Sequence, residues 1–299
     1  MVKLSLMNKQ KSFTLIELLV VIVIIGILAG VIIVSVSSSI NKANFAKAQS
    51  FSNTVQNELL GDLVSEWTFD SPAVANITED TWGNNDGTLM GANGLPQIQT
   101  KENCVYGTCY LFDGVDDYVI VASNGLNKFS YQSFTISAWV KPEIIQNYTL
   151  IWSYDYTSHV SPYYSQHIRT ENGKFYFGWN NGVSIQSIVT SNIASVNNWH
   201  YLVVIYTSGS QKIYVNSKEE ANRIATDTIT YYNQPVWIGK SNFGTTKQVV
   251  IDDVRFYNAV LSSAQIKKQY VAGLDSLLAK GNISEEEYNQ KLNALAYAE

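Results

Sequence analysis

A long apolar run near the N-terminus constrains this chain more than any other feature. Residues 13–36 contain a single charged side chain, that of Glu17. At a rise of about 1.5 Å per residue, a helix of this length reaches about 36 Å, which is enough to cross the hydrocarbon core of a bilayer. Three lysines precede the run, at positions 3, 9 and 11. Because positive residues stay on the cytoplasmic side, we predict a single-pass segment with the C-terminal mass outside the cytoplasm.

Glu17 decides what kind of membrane segment this is. An ordinary secretory signal has an apolar stretch of about 7–15 residues and is removed whole, so this run is too long. A plain signal anchor is the simpler alternative. An unpaired carboxylate inside a membrane helix costs about 2.5–3.5 kcal/mol, however, and such a residue marks function by default.

The stretch KSFTLIELLVVIVIIGILAG around Glu17 resembles the class III signal of type IV prepilins and type II secretion pseudopilins. The resemblance implies that a prepilin peptidase cuts between Ser12 and Phe13 and N-methylates Phe13. It also implies that Glu17, then the fifth residue, pairs with the N-terminal ammonium of a neighbouring subunit. Two charges in an apolar filament core are tolerable only as a pair. The family has Gly before the cleavage site, where this chain has Ser12.

The helix is predicted to continue beyond the membrane. Apolar residues recur near helical spacing from Ile40 to Leu59 with no Pro between them, and Gly61 follows. This stripe packs either on neighbouring helices or on the protein's own sheet. We therefore predict a leader peptide over residues 1–12 and a transmembrane and stem helix over residues 13–61.

The composition of the remainder indicates an acidic β protein. Aromatic residues make up 12% of the chain, with 19 Tyr and 7 Trp, and aromatic residues favour strands. The net charge is −5, yet residues 1–50 hold five Lys and one Glu, so the rest is more acidic than the whole. Nucleic-acid binding needs a basic face. We therefore exclude nucleic acid as a partner.

Short alternating runs bounded by turn residues extend from about residue 64 to residue 260. Examples are YVIVAS, FTISAWVKP, KFYFGWN and WHYLVVIYT. Such spacing predicts a sandwich or a barrel. Asn172-Gly173 and Asn181-Gly182 are hairpin signals. The absence of a β-α-β alternation argues against a nucleotide-binding fold.

Several phrases in order, among them EWTFD, DTWGNNDGTLMGA, YLFDGVDDYV and IDDVRFYNAVLS, resemble laminin-G-like, concanavalin A-like domains. The resemblance implies an antiparallel β-sandwich over residues 62–261. The expected fold class is therefore mainly β: a concanavalin A-like sandwich on a long N-terminal α-helix, with a short C-terminal helical hairpin.

Cys104 and Cys109 enclose a short turn in NCVYGTCYLF. A disulfide between them fits an exported chain, and a pair of free thiols is the alternative. A zinc site usually needs two such pairs or added His, and the three His residues lie far from these cysteines in the sequence.

An oxygen-rich turn and a late pair of acids suggest a structural Ca²⁺, which takes several carboxylate and carbonyl oxygens. Such sandwiches often hold this ion, and the resemblance implies that the first turn and the late Asp meet at one site. The predicted ligands are Asp80, Asn84, Asn85 and Asp252. The alternative is that these residues only hold turns and strand ends. The acids of FDGVDDYV are a second choice and are expected to hold a tight turn.

Glycan binding needs aromatic faces beside polar groups in a shallow site. The stretch IWSYDYTSHVSPYYSQH, part of which is predicted to be a loop, supplies the predicted ligand contacts, which are Trp152, Tyr154, Tyr156 and Tyr163. Packing of these side chains against the neighbouring sheet is the alternative. Trp82 and Trp179 are further candidates, whereas the tryptophans at 139, 199 and 237 lie in apolar strand phrases and are expected in the core.

No catalytic pattern is evident. Glycoside hydrolases of this fold need two carboxylates about 5–10 Å apart, and acids at alternating strand positions would supply them. No such strand occurs, and Asp252 and Asp253 are neighbours that a regular strand would point to opposite faces. No G-x-S-x-G, H-E-x-x-H or P-loop motif occurs either. We predict that the chain is not an enzyme.

The C-terminal residues 262–299 carry two helix signals. Ser262 and Gln265 are spaced as a capping box, Gly281 follows the first helix, and Ser284 with Glu287 forms a second capping box. The phrase LDSLLAKGNISEEEYNQKLNAL resembles SHOCT-like hairpins, which implies oligomerisation. The alternative is a hairpin that covers the sandwich or the stem.

Together these features predict a pilin-like subunit of a type IV pilus or a type II secretion filament that displays a lectin-like domain for adhesion or for carbohydrate or protein binding. A structural pseudopilin without a ligand and a membrane-tethered glycan hydrolase are the alternatives. The expected partners are other pilin subunits, a prepilin peptidase, the inner membrane before assembly, and glycans or surface proteins. The expected location is the cytoplasmic membrane and then an extracytoplasmic filament on the cell surface.

Overall fold

A computed structural model describes residues 15–16, 18–26, 61–70, 73–122, 133–143, 149–154, 164–224, 226, 228–230, 235–240 and 248–296. The chain divides into two compact units, Met1–Lys47 and Ala48–Glu299. In the first unit, residues 15–16 and 18–26 are helical and form α1. None of the helices in the described ranges combines the length and apolarity needed to cross a bilayer. The predicted cleavage site at Ser12 and Phe13, the residue Glu17 and most of the predicted stem helix lie outside the described residues.

The second unit contains two eight-stranded antiparallel sheets. Sheet A consists of β1 (Leu63–Trp67), β4 (Gln97–Gln99), β5 (Cys109–Phe112), β7 (Ser133–Pro142), β12 (His200–Thr207), β13 (Gln211–Val215), β14 (Lys218–Arg223) and β16 (Val249–Tyr257). Sheet B consists of β2 (Ile77–Thr78), β3 (Gly87–Met90), β6 (Tyr118–Val121), β8 (Thr149–Tyr154), β9 (Tyr164–Glu171), β10 (Lys174–Asn180), β11 (Ile185–Val189) and β15 (Val236–Ile238). A short 3-10 helix, Lys101–Asn103, precedes β5.

The strand order shows that distant parts of the chain are neighbours. Sheet A runs β14-β13-β12-β7-β16-β5-β4, and β1 pairs with the second half of β16. Sheet B runs β11-β10-β9-β8-β15-β6-β3-β2. The Asn172-Gly173 turn between β9 and β10 has positive φ at both residues, 51° and 77°, as a type I′ hairpin requires. The predicted antiparallel sandwich is therefore confirmed.

The main core lies between the two sheets. In β6, the side chains of Val119 and Val121 are buried in this core, whereas those of Tyr118 and Ile120 alternate to the opposite side of the sheet. The period-2 alternation that predicted the strands is thus the alternation of an inner and an outer face. The largest fully buried core side chains include Trp67, Phe69, Phe112, Phe134, Phe175 and Trp179. Trp179 is therefore a core residue, not a surface ligand contact.

Two C-terminal helices cover the outer face of sheet A. They are α2 (Ser263–Ala279) and α3 (Glu285–Ala296). The α2 side chains of Ile266, Tyr270, Leu274 and Leu277 form a second core with aromatic and aliphatic residues of β7, β12, β13 and β16. Because sheet A is covered on both faces, β12 and β16 are buried along almost their whole length. The hairpin covers the sandwich, as one of the two sequence interpretations proposed.

Local sequence signals place α2. The N-cap Ser262 accepts a bond from the backbone N–H of Gln265, and the Gln265 side chain accepts from the Ser262 N–H at 2.8 Å, so the predicted capping box is confirmed. Trp139 of β7 stacks on Tyr270, with ring centroids 5.8 Å apart. Gly273 faces the same indole, and a Cβ at this position would overlap it. Glycine therefore permits the close approach of α2 to sheet A.

Candidate functional site

The disulfide loop joins sheet A to the helical hairpin. Cys104 and Cys109 form a disulfide, as predicted, so the free-thiol and zinc alternatives are wrong. On one side, the Asp252 carboxylate accepts the backbone N–H groups of Val105 and Tyr106 at 2.9 and 3.0 Å. On the other side, Lys280 of the α2 C-cap donates to the carbonyls of Cys104 and Tyr106 at 3.1 and 2.8 Å. The loop is thus clamped between β16 and α2.

The burial of Asp252 reflects this clamp. Its side chain is fully buried, and burial raises the pKa of its carboxyl, with the charge of Asp253 adding to the effect. The backbone hydrogen bond from Tyr106 and the ammonium of Lys280 lower this pKa. Asp252 therefore has a structural role in holding the disulfide loop, whatever else binds there.

A second predicted calcium ligand, Asp80, closes its own loop. Its Oδ1 accepts the backbone N–H groups of Glu66, Trp82 and Gly83 at 2.8–3.2 Å, and its Oδ2 accepts that of Asn85 at 3.0 Å. This is the turn-holding role that the alternative interpretation gave to these residues. The Asn85 side chain donates to the Ser65 hydroxyl at 2.7 Å, and Asn84 is exposed.

Calcium binding stays a prediction. The carboxylates of Asp80 and Asp252 hold different loops, the first beside β1 and the second beside the disulfide. Within the described ranges, no three His, Cys, Asp or Glu side chains are grouped so that they could hold a metal ion.

The calcium prediction requires that EDTA lowers the Tm of the protein and that added Ca²⁺ restores it, because an ion bound only to the folded state stabilises that state. Differential scanning calorimetry with and without chelator measures this directly. Mg²⁺ at the same concentration serves as the control. A Tm that EDTA leaves unchanged contradicts a bound ion.

A buried ion network lies beside the same strand. The Arg255 guanidinium pairs with Glu66 at 2.7 Å and with Asp253 at 2.9 Å, and its side chain is 11% exposed. Asp253 has a φ of 52°, and the β16 register shifts between Asp252 and Arg255. This bulge interrupts the regular alternation that we expected for Asp252 and Asp253. The acids of β16 are therefore committed to a loop and to an arginine.

The turn in FDGVDDYV contains a second buried acid. The carboxylate of Asp117, which is 3% exposed, accepts the backbone N–H of Asp113 at 2.9 Å. Burial, followed by the hydrogen bond and the charge of Asp113, raises the pKa of Asp117 from 3.8 to about 7. A carboxyl whose pKa is raised on folding contributes stability that is fully present below about pH 4 and is lost as the pH rises to about 7.

Replacing Asp117 with Asn is therefore expected to remove this part of the pH dependence. The difference in the free energy of unfolding, variant minus wild type, should increase between pH 4 and pH 8. Urea unfolding of both proteins at several pH values measures this difference. The exposed Asp62→Asn variant is the control and should follow the wild type. A constant difference between the Asp117→Asn variant and the wild type across this range would contradict the assignment.

Of the predicted ligand-binding aromatics, Trp152 and Tyr154 lie on strand β8 and not in a loop. Trp152 pairs with Trp237 of β15 on one side and with His167 of β9 on the other. Tyr156 and Tyr163 lie outside the described residues. The structure therefore places the first two candidates in the middle of sheet B.

The outer face of sheet B carries aromatic rings with cations above them. The ammonium of Lys240 lies 3.6 Å from the ring centroid of Trp237 and 4.1 Å from that of Tyr118. Three strands further across, the guanidinium of Arg169 lies 4.3 Å from the Tyr176 centroid. Cation–π contacts of this kind contribute about 0.5–2 kcal/mol. We call the outer-facing residues Tyr118, Trp237, Lys240, His167, Arg169 and Tyr176 the aromatic face.

Burial differs along the aromatic face. Trp237 and His167 are 7% and 1% exposed, whereas Tyr118, Tyr176 and Arg169 are partly exposed. Burial lowers the pKa of Lys240.

The other predicted tryptophans differ in burial. Trp139 and Trp237 are buried as predicted, although neither lies between the sheets, and Trp199 is partly exposed. Trp82 is 43% exposed and donates its indole N–H to Leu63.

The sequence offered a signal for the aromatic face that the loop-based prediction missed. In YVIVAS and KFYFGWN, alternate positions supply the core, so the intervening Tyr118 and Tyr176 must face outward. The partner cations are harder to find, because Lys240 reaches Tyr118 across strands that are more than a hundred residues apart in the sequence.

Comparisons with known proteins identify both parts of the chain. Residues 113–267 match the family model described as the concanavalin A-like lectin/glucanases superfamily. The chain belongs to this superfamily. Residues 7–33 match the prokaryotic N-terminal methylation motif, which confirms the predicted type IV pilin signal around Glu17.

Similar proteins agree with this division. Two relatives, each a fimbrial protein of Pseudomonas aeruginosa, are 31% identical over 97 residues, which is 32% of this chain and 63% of theirs. The chain thus spans less than two thirds of these relatives. The receptor binding domain of botulinum neurotoxin C/D mosaic serotype aligns with a TM-score of 0.57 at 18% identity, over 72% of this chain and about half (52%) of that one. The binding domain of Paraclostridial Mosquitocidal Protein 1 aligns with a TM-score of 0.58 at 17% identity, over 72% and 53%. These likenesses show the fold.

Proposed function

We propose that this protein is a pilin-like filament subunit that presents a lectin-like sandwich at the cell surface, where the aromatic face binds glycans. The observation that carries this proposal is the combination, in one chain, of the methylation motif at residues 7–33 with a concanavalin A-like sandwich. The motif is the signal that directs pilin-like chains into filaments, and the sandwich is the part of the chain that the filament would expose. The fimbrial relatives support assembly with other pilin subunits.

The fold favours sheet B as the binding face. The helical hairpin covers the outer face of sheet A, whereas the outer face of sheet B carries partly exposed Tyr118 and Tyr176. Aromatic rings stack on the apolar faces of sugars, and nearby cations and amides orient the hydroxyl groups. Adhesion to glycans or glycosylated surface proteins is therefore the activity that this face supports best.

Binding is favoured over catalysis. A retaining or inverting glycosidase needs two carboxylates with one free to donate a proton and the other free to attack or to activate water. The acids of β16 are instead bonded to the disulfide loop and to Arg255. A structural pseudopilin that binds no ligand is the second candidate, and the aromatic face is the observation against it.

A glycan array probed with the full chain in detergent tests the binding proposal. We expect a defined set of glycans to be retained, and we expect Lys240→Ala and Tyr176→Ala to weaken retention about tenfold, a factor that corresponds to roughly 1.4 kcal/mol. Lys212→Ala, on the opposite sheet, is the matched control and should bind as the wild type does. Absence of retention by the folded wild type would favour the structural pseudopilin, and equal loss in all three variants would contradict the aromatic face as the binding site.

A further inference from the structure

A second concave site lies where the helical hairpin meets the edge of the sandwich. This cleft has a volume of about 530 Å³, within the range of small-molecule sites. It is lined by the start of β10, the loop after β11, the start of β12, the β13–β14 turn with the start of β14, the first turns of α2 and the second half of α3. It is separate from the aromatic face, since none of the six residues of that face lines it. A ligand in the cleft is therefore independent of glycan binding at the aromatic face.

The floor of the cleft is apolar and partly aromatic. Phe175 and Tyr270 line it and are 1% and 3% exposed, and Val215 and Leu295 add aliphatic surface. The ring of His200 contacts Phe175 edge-on, with centroids 5.8 Å apart. A floor of this kind accommodates the C–H face of a sugar ring. An inorganic anion has no apolar surface that could pack on this floor.

The rim is rich in lysine. Lys218, Lys267 and Lys291 line the cleft, and Glu220 is the one acid among the described lining residues. The N-terminus of α2 also opens into the cleft through Ser263 and Ala264, and the first turn of α2 contains no acidic side chain. The positive end of the helix dipole is therefore not offset there by a carboxylate. Both features favour a negatively charged ligand.

His200 supplies an independent observation. It is 7% exposed, and its Nε2 lies 2.9 Å from the Ser195 carbonyl, which fixes the proton on Nε2. Burial lowers the pKa of His200, which favours the neutral imidazole; the hydrogen bond to Ser195 acts in the opposite direction, and the charge of Lys291 adds to the lowering. Its buried Nδ1 is then an acceptor, and within the described ranges it has no hydrogen-bond partner. A ligand hydroxyl is a donor that matches it.

Polar side chains for further hydroxyls lie on the same rim. The Glu220 carboxylate accepts from Asn192 at 2.6 Å and pairs with Lys218 at 3.1 Å, so it is held in place. Asn216 and Ser217 belong to the same lining. A small acid without hydroxyl groups would leave these groups unused.

We propose that the cleft binds a monosaccharide-sized sugar acid. Its carboxylate lies among Lys218, Lys267 and Lys291 at the α2 N-terminus. Its hydroxyls bond Glu220 and the Nδ1 of His200, and its ring lies over the apolar floor. Because α2 and α3 form one wall, the helical hairpin completes a site that the sandwich alone lacks.

Nuclear magnetic resonance of the histidine ring nitrogens in the full chain tests this. The chain has three His residues, and His200→Gln assigns the relevant signal. The probe is D-glucuronate, with D-glucose and acetate as controls that lack the carboxylate and the ring. We expect glucuronate to shift the Nδ1 signal of His200 in a saturable way, and both controls to bind at least about tenfold more weakly.

Matched lysine variants locate the binding. Lys291→Ala removes a rim charge whose own ion pair, with Glu287, is an i,i+4 surface pair, so the fold is expected to persist. Glucuronate affinity should fall about tenfold in this variant and stay unchanged in Lys101→Ala, which lies on the remote 3-10 helix. No shift with glucuronate, equal binding of acetate, or equal losses in both variants would overturn the proposal. Glycan-array retention by Lys291→Ala separates this outcome from failure of the aromatic face.

Discussion

Replacing Glu17 with Ala is expected to abolish incorporation of the chain into filaments while membrane insertion continues. Residues 7–33 match the N-terminal methylation motif, and Glu17 is the one charged residue in the overlapping apolar run of residues 13–36. A lone carboxylate in an apolar environment is costly, and pairing with the N-terminal ammonium of a neighbouring subunit offsets that cost. Without Glu17 the incoming ammonium has no partner, whereas a more apolar helix inserts at least as well.

Immunoblots of sheared filaments and of the membrane fraction measure the two outcomes separately. Thr14→Ala is the matched control, because it removes a polar group from the same run without removing a charge, and it should assemble. Glu17→Asp keeps the charge but shortens the side chain and should assemble partly. Normal assembly of Glu17→Ala would contradict the pairing role.

Arg255→Ala is expected to destabilise the sandwich strongly. Arg255 holds two acids, Glu66 and Asp253, at 2.7 and 2.9 Å, and all three side chains are at most 12% exposed. Removing one partner of a buried ion network leaves uncompensated buried charge, which costs about 3–5 kcal/mol. A loss of this size approaches the whole stability of many domains, about 5–15 kcal/mol.

Urea unfolding followed by tryptophan fluorescence measures the loss. The control is Arg169→Ala, which breaks a more exposed pair with Glu171 and the cation–π contact with Tyr176 and should cost less, roughly 1–2 kcal/mol in total. A triple variant should recover part of the stability, because no buried charge then remains unpaired. It combines Arg255→Ala with Glu66→Gln and Asp253→Asn, which neutralise the two acids that Arg255 paired with. Equal effects of Arg255→Ala and Arg169→Ala would show that the network is not buried in solution.

Much of the fold could be predicted from local signals. Period-2 alternation in YVIVAS and KFYFGWN places one set of side chains in the core, and Asn172-Gly173 adopts the positive φ values that its hairpin needs. Ser262 and Gln265 form their capping box because the motif depends only on neighbours in the sequence. The short spacing of Cys104 and Cys109 together with the export signal favoured the disulfide that the structure shows.

The rest depends on contacts between distant segments. The hairpin covers sheet A because Trp139 and Gly273 allow a close approach, and a pattern along α2 does not reveal which surface it meets. From the sequence alone, Asp80 is compatible both with a calcium ligand and with a residue that holds a turn. In the structure, its carboxylate accepts backbone N–H groups of the turn, which is the second role. The partnership of Lys240 with Trp237 and Tyr118 arises only when β6 and β15 pair.

For the candidate sites too, local sequence signals were informative, whereas contacts between distant segments could not be predicted. Glycans were proposed from the sequence, because aromatic residues in a concanavalin A-like fold suggest them, and the ligand stays a proposal. The sequence prediction placed the aromatic contacts partly in a loop, whereas Trp152 and Tyr154 lie on β8 in the middle of sheet B. The cleft at the hairpin was not predictable, because His200, Glu220 and Lys291 come from three different elements.

Mass spectrometry of sheared surface filaments tests the central claim most directly. If this chain is a processed filament subunit, the filaments contain it with an N-terminus at N-methylated Phe13 and without residues 1–12. Recovery of the chain only from the membrane fraction, with residues 1–12 still attached, would contradict the account.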